Sequence, residues 1–212
     1  MTRIYKTTEP AAPAPSEHYR LSPSGSSRWL ACPYSAKSDL PQYTNDAAEL
    51  GTEAHAWGAN VLTKQATLDD VPEPFSHGVG LYVNHVLSNG CPTPIIERKW
   101  SSPSIPEFGG TIDCLLITGQ RAAIYDFKYG KWPVKAAGNT QLLCYASIVA
   151  EHFDIQEFYG VIVQPNAWNQ ETVQVAEYHT DQVDDHREKV AAAAGSNEKH
   201  TGDHCLLRPR RR

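Results

Sequence analysis

The chain lacks a cysteine pair spaced CxxC: its five cysteines, at 32, 91, 114, 144 and 205, are scattered and odd in number. No disulfide framework is legible in that set, and a reducing compartment is expected. No apolar run is long enough to span a bilayer, and no signal peptide precedes the first polar residues. A cytoplasmic protein without membrane contact is the expectation. Excess positive charge is also missing, since 24 acidic against 19 basic side chains leave a formal charge of −5. That balance does not advertise a nucleic-acid binder. It does not exclude one either, because acidic metal ligands can sit beside a local basic surface.

What is present is 212 residues with the hydrophobic and charged fractions of an ordinary globular protein. That length suits one domain with a sizeable core. Residues 1–20, rich in Pro, Ala, Thr and Ser, read as a disordered arm. Residues 21–205 read as a single domain and 206–212 as a basic tail. A short helix around Arg28–Leu30 is stopped by Pro33. Helical spacing recurs over 46–64, through Ala47, Leu50, Ala54, Trp57 and Val61, and again over 74–87, with Val79, Tyr82, Val83 and Val86 inward. Residues 95–100 form a strand, and 110–118 with 121–128 a hairpin turning at 118–120. A helix over 139–152, strands over 158–164 and 171–178, and a largely exposed helix over 181–194 follow. The fold expected is α/β, with N-terminal helices ahead of a βββαβ core.

Alternation along a strand puts Asp126 and Lys128 in one cleft while Phe127 faces the core. Asp113, 13 residues upstream on the paired strand, is within reach across the hairpin. Two carboxylates can hold a divalent metal, to which the main-chain carbonyl of Phe127 adds a ligand. Lysine can steady a phosphate or help to deprotonate water. Gln141 and Tyr145, four apart on a helix, share a face and can meet phosphate or base. His55 offers a neutral imidazole, and Glu97 a further carboxylate or one end of a surface charge pair. Lys131, Trp132 and Lys135 combine positive charge with a stackable ring, which suits nucleic acid as well as it suits a solvated loop.

The order Gly51-Thr52-x-x-His55, Gly110-x-x-Asp113, Asp126-x-Lys128, Gln141-x-x-x-Tyr145 resembles the PD-(D/E)xK nuclease superfamily in its RecB-like exonuclease branch. The stretches around Asp126–Lys131, Gln141–Ala146 and Ile162–Pro165 are most similar to an uncharacterised phage-encoded family of that branch. The resemblance implies a restriction-endonuclease-like core, a mixed sheet flanked by helices, with an N-terminal helical wall. It implies Mg²⁺ or Mn²⁺ held by His55, Asp113, Asp126 and the Phe127 carbonyl. Lys128 would then act on the attacking water or the phosphate, and Gln141 and Tyr145 would position the strand. Ile112 replaces the proline that names the superfamily. Many members of the branch hold an iron–sulfur cluster through one early and three late cysteines. Cys32 and Cys205 match two of those places, but no cysteine follows 205, so no cluster is expected. A zinc site using Cys32, His204 and Cys205 stays open. The implied function is metal-dependent DNA hydrolysis from free ends, in phage recombination, replication or DNA processing, in the host cytoplasm and with a recombination partner protein. The alternative is a non-catalytic nucleic-acid-binding or nuclease-adaptor protein that keeps the fold. The oligomeric state is not legible.

Overall fold

The computed structural model describes residues 19–37 and 46–199. Most of the expected arm, Cys205, His204 and the basic tail lie outside the described residues. The helices are α1 (Ser26–Ala31), α2 (Asp46–Leu62), α3 (Ser76–Ser88), α4 (Thr140–His152) and α5 (Thr180–Lys199). The strands are β1 (Ile95–Ser101), β2 (Gly109–Thr118), β3 (Arg121–Phe127), β4 (Glu157–Val163) and β5 (Val173–Tyr178). The expected α/β architecture is observed: one mixed five-stranded sheet in the order β1-β2-β3-β4-β5, flanked by helices.

Within this sheet β3 and β4 run parallel and the other neighbours antiparallel. A parallel pair needs a crossover, and α4 supplies it. Asn139 starts α4 by accepting the main-chain N–H groups of Gln141 and Leu142. Strand β4 is buried on both faces, which is why Phe158, Val161, Ile162 and Val163 read as one apolar run.

The two faces carry separate cores. Leu142, Ile148 and Val149 of α4 and Val183 and Val190 of α5 pack with Trp29, Ile112 and Ile124. Ala54 of α2 and Val79, Tyr82, Val83 and Val86 of α3 pack with Cys114, Tyr125 and Phe127. The sheet is therefore the middle of three layers. Leu50 is exposed rather than inward. The last helix departs from its expected exposure, since Val183, His186, Val190 and Ala193 are buried. Its charged and alanine-rich composition hides that narrow stripe, which is spaced for one helical face. Cys91, Cys114 and Cys144 are free thiols. Cys32 is disulfide-bonded, although the scattered cysteines made no disulfide framework legible. Among the described residues no helix is long and apolar enough to cross a membrane.

Candidate functional site

The ladder between β2 and β3 ends at the Cys114–Tyr125 pair. The next step would set Asp113 opposite Asp126, and like charges there repel. Instead the strands part, and Asp113 Oδ2 accepts the main-chain N–H of Phe127 at 2.7 Å. This opening lies where the parallel strands β3 and β4 end, the edge at which open α/β sheets bind ligands.

Helix α2 delivers His55 to one side of the opening. Its Nδ1 lies 3.5 Å from Asp113 Oδ2 and 3.7 Å from Glu97 Oε1. Its ring packs 5.4 Å from that of Phe127. One potential ligand atom from each of His55, Glu97 and Asp113 falls within 4.8 Å of the others. Glu97 lies between the registered pairs Ile96–Cys114 and Arg98–Ile112, which sets it across from Asp113. Its backbone is left-handed, with φ 44°. A residue with a Cβ adopts that conformation at a cost, and such strain collects at functional sites.

Charge governs this group. Burial works against a charged His55, but its hydrogen bond to Glu97 and the charges of Asp113, Glu97 and Asp126 outweigh it and raise its pKa to about 9. Burial lifts the carboxyl of Asp113 above the usual carboxylate range; His55 opposes the lift, while Asp126 and Glu97 add to it. The cluster thus draws in protons to balance surplus negative charge. A divalent cation would do the same and displace them.

Asp126 approaches from the face of α4 and is only 2% exposed. Its Oδ1 accepts Gln141 Nε2 at 3.0 Å and lies 2.9 Å from Lys128 Nζ. Lys128 Nζ also donates to Gln141 Oε1 at 3.1 Å, closing a triangle. Asp126 Oδ2 is buried with no hydrogen-bond partner. An unpaired carboxylate oxygen in such a place is costly, and a cation is the partner that suits it. The atoms that converge, two carboxylates and one imidazole, suit a hard or borderline divalent ion.

The remaining expected residues fall into two groups. Tyr145 is buried, and its hydroxyl donates to the Thr111 carbonyl at 2.6 Å, so it fastens α4 to β2. Lys131 and Lys135 are exposed on the loop that leaves β3. Trp132 on the same loop is 78% exposed, and its ring meets that of Trp168 edge to face at 5.4 Å. Sequence reading missed Trp168, a lone aromatic in a polar loop. It also gave no role to Gln164, whose buried amide joins the two loops.

The arrangement is compatible with a divalent cation at His55, Glu97 and Asp113, with the Lys128–Asp126–Gln141 triangle at the same end of β3. The chain is similar in structure to the alkaline exonuclease LHK-Exo from Laribacter hongkongensis, with TM-score 0.47 and 12% identity over 81% of this chain and 79% of that one. It is similar to the same enzyme in complex with dAMP, with TM-score 0.47 and 12% identity over 85% and 86% of the two chains. The family described as "protein of unknown function (DUF2800)" matches residues 18–208, nearly the whole chain, and the protein belongs to that family.

Proposed function

We propose that this protein is a metal-dependent deoxyribonuclease of the PD-(D/E)xK superfamily, acting as an exonuclease on DNA with free ends. One observation carries the reading. Asp126 is buried with one oxygen tied to Lys128 and Gln141 and the other unpartnered, beside the converging His55, Glu97 and Asp113. A structural ion pair has no use for a second buried oxygen left bare or for three more ligands at its side.

His55, Glu97, Asp113 and Asp126, with the Phe127 carbonyl, would hold Mg²⁺ or Mn²⁺. When bound, the cation supplies Lewis-acid activation of water and neutralises charge developing on the phosphate. Lys128 offers its ammonium to a non-bridging phosphate oxygen or to the attacking water. Gln141 holds Lys128 and Asp126 in register by donating to one and accepting from the other. Tyr145 acts indirectly, by fixing α4 against the strand that bears Asp113. The free-end preference, and a place in phage recombination, replication or DNA processing, rest on the motif resemblance to the RecB-like branch. Residues 21–205 would form the working domain.

The test is digestion of end-labelled single- and double-stranded linear DNA beside closed circles, in Mg²⁺, Mn²⁺ or EDTA. Metal-dependent loss of linear DNA, with circles spared and Asp126→Asn inert, is expected. Cut circles would make it an endonuclease. A folded protein inert in every metal would leave the non-catalytic binding reading.

A further inference from the structure

We infer that Trp132 and Trp168 form a base-stacking platform that grips the single-stranded end of the DNA next to the site. The inference rests on the nuclease reading for its substrate and extends it to Trp168, which joins Trp132, a ring that the sequence already marked as suited to nucleic acid.

Both side chains are exposed, Trp132 at 78% more than any other large apolar side chain among the described residues and Trp168 at 54%. Each is large, and leaving such a surface in water forgoes the stabilisation that burying it would bring. Their backbones are nevertheless firmly held. Gln164 is 2% exposed and uses all four hydrogen-bonding positions of its amide. Its Nε2 donates to the carbonyls of Gly130 and Trp132, each at 2.8 Å. Its Oε1 accepts Val134 N at 2.9 Å and Gln170 Nε2 at 2.7 Å. Trp168 N donates to the Lys131 carbonyl at 3.3 Å, and Asn166 Nδ2 to the Tyr129 carbonyl at 2.9 Å. Two loops are thus sewn together while the rings they carry stay in solvent.

Place and charge name the occupant. Both loops leave the carboxyl ends of the parallel strands β3 and β4, the edge where Lys128 and Asp126 sit. Trp132 is four residues beyond Lys128, so their Cα atoms are at most about 14 Å apart. Stacked bases rise about 3.4 Å each, so roughly four nucleotides cover that span. Residues 128–135 and 164–170 contain three lysines and no carboxylate. Lysines on the loop that carries one exposed ring, with no carboxylate on either loop, match a phosphodiester strand whose bases are free to stack. A duplex keeps its bases paired and offers the rings nothing except its terminal pair.

The test is binding of 5′-fluorescein dT12 by the full chain in EDTA, followed by anisotropy and by tryptophan fluorescence. Trp132→Ala and Trp168→Ala are each expected to weaken binding by about fivefold or more. The phenylalanine variants should keep most of the affinity, and quenching seen with the native chain should vanish in the double alanine variant. Binding by the double variant within twofold of the native chain, no quenching of the native chain, or equal loss on a blunt duplex would each overturn the platform. Mg²⁺-dependent cleavage of long linear DNA is scored separately. Cleavage with unaltered dT12 binding by the double variant sinks the platform and keeps the nuclease. Lost dT12 binding in a protein that never cleaves keeps the platform and sinks the nuclease.

Discussion

Asp113 Oδ2 accepts the main-chain N–H of Phe127 at 2.7 Å, one step beyond the last registered pair of β2 and β3. The carboxylate is therefore both a candidate metal ligand and the clasp that closes the end of the hairpin. Asp113→Ala should lose cleavage and also leave a buried N–H without an acceptor, at about 1–3 kcal/mol. Asp113→Asn keeps an oxygen for Phe127 but gives up the attraction of His55 together with the repulsion from Asp126 and Glu97. In EDTA it should melt above Asp113→Ala while cleaving nothing. Melting curves beside end-labelled DNA assays separate the two roles.

Lys128→Ala removes one of the two partners of Asp126 Oδ1 and leaves Gln141. Cleavage should fall by about 100-fold or more, as for loss of one charge-stabilising donor in other active sites. Mg²⁺ or Mn²⁺ binding should persist, because no ligand is lost. Calorimetric titration with the metal alone, set against initial rates, checks both halves.

Metal should stabilise the fold through the same residues. At 100 times its dissociation constant a cation bound only by the native state adds about 2.7 kcal/mol. Mn²⁺ should raise the melting temperature of the native chain, and His55→Ala and Asp126→Asn should each reduce that rise. An equal rise in all three proteins would place the ion elsewhere.

His186 gives a pH dependence distant from the site. Burial, with Lys189 adding to it, lowers its pKa from 6.5 to about 4, and its Nε2 lies 3.3 Å from Cys144 Sγ. Between those values the unfolded chain binds the extra proton and the folded chain does not. This contribution to stability is full above pH about 6.5 and is lost as pH falls toward 4. The melting-temperature gap between the native chain and His186→Gln should narrow over that window.

Gly109 and Gly110 leave no room for a side chain. A Cβ at Gly109 would stand 2.6 Å from the Trp100 carbonyl oxygen, and one at Gly110 2.9 Å from Pro23 Cδ. Gly109→Ala should cost about 1–3 kcal/mol by overpacking against backbone, and more than Gly110→Ala, whose obstacle is a ring edge. Denaturant midpoints rank the two.

Local periodicity made part of this site legible. Strand alternation set Asp126 with Lys128; helical spacing paired Gln141 with Tyr145, and the contacts of Gln141 with Asp126 and Lys128 arise only from the packing of α4 on the sheet. Glu97 was harder, because its importance comes from a strained backbone across from Asp113, and no neighbour in sequence signals that. Trp168 and Gln164 were illegible for a related reason. Apart from Gln170, their partners are about 30 residues away or more, and the parallel pairing of β3 with β4 brings the loops together. The stripe of α5 was masked by charge around it.

Gln164 has one further consequence. Since its single amide supports both loops, neither loop can open alone without breaking bonds that also hold the other. The amide protons of Val134 and Gln164 should exchange with solvent at a shared rate, as members of one cooperative opening unit. In Gln164→Leu that unit should dissolve, with exchange accelerating on both loops at once while the sheet behind them stays protected.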